Sequence, residues 1–310
     1  MPKVVFATCA ATEPEGRQAA LLAASVRAFA GTLRSSSLWV LRPGDAEKIE
    51  PAIEEDFASI GAQIVPFEIG ARLAEVPAAA RVVAAAAAEA RAAADHGLVI
   101  WMDPDSLVLR EPDMLLLPEG CTLGWCPAHL RQIASAWDEV PDPFWALLYE
   151  RLAIDPGEVF PVVTAVDRAR VRAYFSSGLV VVRPREGLLQ RWCEVFTDLV
   201  DDAAVKAFFI DDRLNQTCFP QAAFAAAVLS STSAKALVEL PPLVDFPLHL
   251  MERIAQERRP WSLNDLVTCR YDDLGALGGQ GWRAFTHVDE PLRTWLDDMV
   301  TGYGSSRALL

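Results

Sequence analysis

The sequence predicts an α/β fold: a mostly parallel central sheet with helices on both faces. Three observations carry that expectation. Through the first 112 residues, apolar runs of strand length alternate with longer segments of helical periodicity across short connections, the pattern of βαβ units with right-handed crossovers. The run Leu98–Met102 and the Val-rich stretch after Gly178 are continuously apolar, as strands buried on both faces are. Leu98–Met102 also runs straight into Asp103-Pro104-Asp105, which puts acids at the strand end where open α/β sheets bind ligands.

In chain order, Val4–Thr8 is expected as the first strand, Thr12–Gly16 as a loop and Arg17–Leu33 as a helix. Ser37–Leu41 follows as a strand stopped by Arg42-Pro43-Gly44, then a helix over Ala46–Ile60 and a strand at Gln63–Phe67. Pro77–Asp95 is almost entirely Ala with scattered charge, a strong helix former with no other message. Pro104 cannot donate to a ladder, so the strand from Leu98 ends before it. Beyond it, Pro118–Cys126 has strand character, Phe144–Ala153 is expected as a helix, and Ala173–Pro184 is a second buried strand entered through small residues. Leu188–Lys206 reads as one helix, Leu237–Leu250 as an extended proline-rich stretch, and Val267–Tyr271 as a last strand. A loop with four glycines over Gly275–Gly281 and a helix over Glu290–Val300 complete the chain.

The 310 residues are 52% hydrophobic and 23% charged, a globular composition. A net charge of −14 argues against nucleic acid and anionic membrane surfaces as partners. The six cysteines form no Cys-x-x-Cys pair, so reduced thiols in a cytoplasmic protein are the expectation. The apolar part of the N-terminus is too short for a signal sequence, and no apolar stretch approaches membrane-spanning length.

Residues two apart in an extended chain point the same way, so Asp103 and Asp105 project together. Two carboxylates at the mouth of a buried strand are costly unless a cation sits between them. A hard divalent ion with oxygen ligands, shared with a diphosphate, meets that need. It would also offset the acidity of the chain toward an anionic substrate. An ordinary Asp-Pro turn is the competing account. No Gly-x-Gly-x-x-Gly follows the first strand, so a dinucleotide fingerprint is absent.

Three motifs stand in one order: Met102-Asp103-Pro104-Asp105-Ser106, then Phe175-Ser176-Ser177-Gly178 leading a Val-rich strand, then Asp211-Asp212-Arg213-Leu214-Asn215. The set resembles the GT-A nucleotide-sugar glycosyltransferases, most closely the glycogenin-like and lipopolysaccharide-galactosyltransferase-like group, over roughly residues 1–295. That group shows Asp-x-Asp, then Phe-Asn-(Ala/Ser)-Gly, then Asp-Gln with an Asn four residues after the Asp. The resemblance implies a GT-A fold spanning 1–310 as one domain, with 1–112 as nucleotide-binding half and 113–310 as acceptor-side half. It implies hexosyl transfer from a nucleotide sugar, a UDP-sugar above others, to a sugar, lipid or small-molecule acceptor. Asp103 and Asp105, with Pro104 between them, would hold Mn²⁺ or Mg²⁺ and the donor diphosphate. Ala7, Thr8, Cys9 and Ala10 would contact the nucleotide, and Ser176, Ser177 and Gly178 would line the donor sugar. Asp211 and Asp212 would face the reacting carbon or the acceptor.

The chain departs from the group in several places. Ser176 replaces an Asn and Asp212 a Gln. The group's third metal ligand is a His in His-x-x-Gly-x-x-Lys-Pro-Trp, a pattern this chain lacks. His287 keeps the interval to Trp295 and is the candidate third ligand. The stretch Tyr271-Asp272-Asp273 is a rival, with Arg270 where a His could stand. Arg270 or Arg283 could replace the missing Lys on the diphosphate. The group retains anomeric configuration, so retention is expected, while a base at Asp212 would allow inversion. The acid pair is equally expected at a helix N-terminus, where it favours the macrodipole without catalysis. Trp125, Trp137 and Trp145 are candidate acceptor contacts, whereas His96, His129 and His249 are expected in capping or packing roles.

Three other functions compete. A haloacid dehalogenase-type phosphatase also places Asp-x-Asp after an apolar strand, but near the N-terminus, with Thr or Val where this chain has Leu107 and with a later Lys, for which only Lys206 and Lys235 are available. A nucleotidyltransferase wants a Gly-rich basic loop after the first strand, and Thr8–Arg17 has one Gly and one Arg. A catalytically impaired, transferase-like binding protein is the third.

Overall fold

The computed structural model describes residues 2–44, 49–209 and 212–304. The first part of the chain forms β1 (Val4–Cys9), α1 (Glu13–Phe29), β2 (Ser37–Pro43), α2 (Pro51–Ile60), β3 (Gln63–Phe67), α3 (Ala79–Ala92), β4 (Leu98–Met102) and β5 (Ser106–Val108). Then come β6 (Leu123–Pro127), α4 (Pro143–Arg151), β7 (Pro161–Val163), β8 (Arg170–Arg172) and β9 (Phe175–Val182). Helices α5 (Leu188–Asp201), α6 (Ala203–Lys206) and α7 (Arg213–Ser231) follow, then β10 (Leu237–Glu239), β11 (Phe246–Pro247), β12 (Thr268–Arg270), α8 (Leu274–Gly278) and α9 (Leu292–Gly304).

Seven strands make the central sheet in the order β10-β6-β9-β4-β1-β2-β3. β1 pairs in parallel with β2 and β4, β2 with β3, and β6 with β10. β9 lies antiparallel between β4 and β6, so the sheet is mixed in its second half. The α/β expectation holds, with strands from both halves of the chain in one sheet. Successive strands step from β1 outward to β3, and the chain then returns to place β4 on the other side of β1. Such a reversal puts the carboxyl ends of β1 and β4 where open α/β sheets form their ligand crevice.

The core follows from the period of two along each strand. Val5, Ala7, Val99 and Trp101 face the layer containing α3, α5 and α7. Val4, Phe6, Leu98, Ile100 and Met102 face Leu22, Ala23 and Val26 of α1. The alanines of α3 have no side chain beyond Cβ and let that helix approach the sheet and α5 closely.

Helix ends differ from expectation for identifiable reasons. α1 begins at Glu13, inside the expected loop, because Thr12 and Glu15 form a reciprocal capping box. The expected helix over Leu188–Lys206 is two helices: α5 ends at Asp201, and the carboxylate of Asp202 accepts from the backbone N–H of Ala204 and Val205 to start α6. Asp273 caps a short α8 within the expected glycine loop. The expected helix from Ala46 starts at Pro51; residues 45–48 lie outside the described residues. Among the described residues no helix is long and apolar enough to cross a membrane.

The N-cap of α5 is Gly187, which has no side chain to satisfy the first N–H groups. Glu89 of α3 takes that role: its Oε2 accepts from the backbone N–H of Gln190 at 2.9 Å and from the Gln190 side chain at 3.3 Å. Burial raises the Glu89 carboxyl above its ordinary range, opposed by these hydrogen bonds. Glu89→Ala is expected to cost about 1–3 kcal/mol by leaving buried N–H groups unsatisfied, read as a lower urea midpoint. An unchanged midpoint would show that α5 does not depend on this cap.

Candidate active site

β4 delivers Asp103 to the crevice, where its backbone N–H donates to the Gly178 carbonyl of β9 at 2.7 Å. Asp105 follows beyond Pro104, and the chain enters β5. A second sheet, in the order β11-β12-β5, crosses here, with Arg270 paired to Ser106. The Tyr271 N–H donates to the Asp105 carbonyl at 3.0 Å. These backbone bonds lay the Arg270 side chain across both acids: Nη2 is 3.0 Å from Asp103 Oδ2 and Nε 3.1 Å from Asp105 Oδ2. Arg81, from the first turn of α3, places Nη1 2.8 Å from the same Asp103 oxygen. A Cβ on residue 178 would sit 2.5 Å from Arg270 Nη1 and 3.0 Å from Asp103 Oδ2. Gly178 is therefore the residue that lets the guanidinium lie on the end of β9.

A third acid closes the cluster. Asp245, just before β11, is buried and holds φ 54°. Its Oδ2 accepts from the Ser176 hydroxyl at 2.6 Å and lies 3.2 Å from His129 Nε2. Burial alone would raise this carboxyl, but His129, Arg270 and the Ser176 hydroxyl together hold it below the ordinary value of 3.8. Burial also works against the charge on Arg270, yet Asp105, Asp103 and Asp245 outweigh it and keep the guanidinium firmly protonated. Burial pushes the Asp105 carboxyl up, with Arg270 opposing. His249 donates from Nδ1–H to the Arg270 carbonyl at 3.3 Å, and burial lowers its basicity.

The expected Mn²⁺ or Mg²⁺ meets a different arrangement. Asp103 Oδ2 and both Asp105 carboxylate oxygens lie against guanidinium N–H groups, while Asp103 Oδ1 is buried without a partner. The side chains of Asp103 and Asp105 are 2% and 10% exposed, those of Arg81 and Arg270 24% and 23%. The arginine side chains are thus the less buried members of the cluster and the acids the more buried. Among the described residues no three His, Cys, Asp or Glu side chains are grouped to hold a metal. His287, the expected third ligand, is exposed with its ring 4.9 Å from Trp261, and is not gathered with the aspartates. Asp273 of the rival stretch caps α8. As arranged, these residues do not fit a divalent ion.

The other expected site residues divide. Ser176, Ser177, Gly178 and Pro104 are buried at the crevice, and Ser176, lacking the amide of an Asn, grips Asp245. Ala7, Thr8, Cys9 and Ala10 reach the same sheet edge and are 4% exposed or less. Ala11 and Thr12 are the first accessible positions, and their N–H groups already donate to Glu15 Oε2 at 2.8 and 3.0 Å. Asp212 is exposed and caps α7, accepting from the Asn215 N–H at 3.0 Å. Asp211 lies outside the described residues. Arg283 pairs with Asp297 at 2.8 Å and rests on Trp282, away from the role considered for it. Trp125 and Trp145 are core residues, the latter donating to the Ile133 carbonyl at 2.7 Å, and Trp137 lies beneath Arg170 and Arg172. A cavity of about 320 Å³ does open in this middle section, lined in part by Phe144, Phe208, Leu214 and Asn215 at the start of α7.

Sequence reading missed Arg81, Asp245 and His129. Arg81 sits in an Ala-rich helix with no motif around it, and Asp245 in a proline-rich stretch with no periodicity. The only available signal was the need for partners for two buried acids, which names no residue.

Two consequences are measurable. Gly178→Ala is expected to force Arg270 off Asp103 and to lower stability by about 1–3 kcal/mol, as overpacking does; a wild-type urea midpoint would contradict the close approach. Because the folded Asp245 carboxyl is held below 3.8, its ionisation stabilises the fold above that pH, and the contribution is lost as pH falls through the lower folded value. Stability of Asp245→Asn should therefore fall less steeply than wild type as pH drops below about 4. Parallel curves from pH 6 to 2 would remove Asp245 from the acid-sensitive set.

No curated protein sequence matches the chain. Among solved structures, the galactosyltransferase LgtC, in complex with donor and acceptor sugar analogs, aligns over 99% of this chain and 97% of its own, at 14% identity and a TM-score of 0.51. The bifunctional glycosyltransferase WbbM aligns over 99% of this chain and 50% of its own, at 11% identity and a TM-score of 0.51. These likenesses, with the seven-stranded mixed sheet, make the fold GT-A. The profile of the Rhodobacterales glycosyltransferase domain matches residues 7–226, and the chain belongs to that family of glycosyltransferases.

Proposed function

We propose that this chain transfers a hexosyl group from a nucleoside-diphosphate sugar, a UDP-sugar above others, to an acceptor hydroxyl. The observation that carries the reading is the charge cluster of Asp103, Asp105, Arg81 and Arg270 at the point where the strand order reverses, the place where such sheets bind nucleotides. Glycosyl transfer breaks the bond between the anomeric carbon and a phosphate oxygen, and negative charge builds on the departing diphosphate. Fixed cations at that point stabilise that charge where it develops. The sugar becomes oxocarbenium-like, and a carboxylate beside it can stabilise that charge or deprotonate the acceptor. Asp211 is the acid assigned to that role. Asp212 is committed to its helix cap, which leaves retention, the habit of the resembled group, as the expected outcome. The aromatic-lined cavity at the start of α7 offers an acceptor a stacking surface. Six cysteines present as free thiols support a reducing, cytoplasmic setting.

A metal-assisted version of the same reaction, with Mn²⁺ or Mg²⁺ at Asp103 and Asp105, requires both guanidinium groups to leave. The unpartnered Asp103 Oδ1 is the one observation that favours it. A thermal-shift panel of nucleotide sugars, followed by mass spectrometry of candidate acceptors, tests the general reading. One nucleotide sugar is expected to stabilise the fold, by about 2.7 kcal/mol at a hundredfold excess over its Kd, and to release its nucleotide when an acceptor is added. Stabilisation without release would identify a binding protein, and phosphate release from a simple phosphomonoester would identify a phosphatase.

A further inference from the structure

We propose that Arg270 and Arg81 take the place of a divalent cation at Asp103 and Asp105, so that the donor diphosphate binds guanidinium N–H groups with no metal ion. The inference rests on the nucleotide-sugar reading above and says how that site is charged.

The charge count matches. Two guanidinium groups bring two positive charges to the same two carboxylates that a shared divalent ion would bridge. The geometry matches as well: Arg270 spans the acids with Nε on Asp105 and Nη2 on Asp103, and its Nη1 lies over Gly178 with no acid assigned to it. Arg81 Nε is buried and has no hydrogen-bond partner, a donor with capacity to spare beside Asp103. Both arginine side chains are more than twice as exposed as either acid's. A planar fork of N–H donors suits phosphate oxygens in pairs. The arrangement is also held from behind. β12 pins the Arg270 backbone through its pairing with β5, Gly178 leaves room for the side chain, and Asp245 adds a third charge favouring it. For a divalent ion to enter, three ion pairs whose acids are nearly buried must break, which costs several kcal/mol for each charge left uncompensated.

Calorimetric titration of the full chain with UDP and GDP, in excess EDTA and in Mn²⁺, tests this directly. Electron paramagnetic resonance of Mn²⁺ gives a second readout that does not depend on nucleotide. At least one nucleoside diphosphate is expected to bind with a Kd that agrees within about twofold in the two conditions, and wild-type protein should hold no site-bound Mn²⁺. Arg270→Lys keeps a charge over the acids but loses the fork, and is expected to weaken binding about tenfold while circular dichroism stays native. Binding that appears only with Mn²⁺ would overturn the inference and leave the nucleotide-sugar reading standing. Binding of neither diphosphate in either condition would overturn both. Wild-type affinity in Arg270→Lys would remove the guanidinium from the account.

Discussion

The ion cluster at the carboxyl end of β4 is the constraint around which the rest of the molecule is arranged. Arg270 lies across Asp103 and Asp105 and within the field of Asp245, while Arg81 shares an oxygen of Asp103. Its members come from β4, α3, β12 and the segment before β11, distant in sequence and brought together only by the finished fold. Buried charges are tolerated when paired and hydrogen-bonded, and removing one partner is far more damaging than never having had the pair. The cluster therefore ties the small sheet to the large one.

The fold explains why the cluster sits where it does. Reversal of strand order leaves the ends of β1 and β4 without a crossover helix above them, and the antiparallel β9 brings Gly178 against Asp103 from the other side. Two sheets meeting there supply backbone hydrogen bonds to both flanks of the Asp-Pro-Asp turn. The turn expected of that motif is present, and the side chains of Asp103 and Asp105 are both buried in an ion network. In a chain with a net charge of −14, two arginines are gathered on the buried acids at this point.

Sequence and structure part company at particular residues. The strand at Leu98–Met102 and the acids after it are legible because five successive apolar residues closed by an Asp-Pro pair fit a buried strand and little else. Gln63–Phe67 is legible to the residue. Arg270 stands where a His could be expected, and it is the residue that the fold brings to the aspartates. Arg81 is not legible, since a single Arg in an Ala-rich helix looks like any solvated charge until the helix is placed. Spacing alone puts His287 at the metal, and the fold does not bring it to the aspartates. Asp212 takes the structural alternative, the helix N-terminus.

By itself, the sequence determined the α/β class, the strand that carries the acids, the order of the three motifs and the family they resemble. All of these depend on local pattern: apolar runs, breakers and short spacings read along the chain. Which side chains face the acids was decided only by tertiary structure. Burial raises the cost of an unpaired carboxylate but does not say whether a metal ion or an arginine offsets it, and here the pairing of β12 with β5, 165 residues from Asp105 to Arg270, places the arginine.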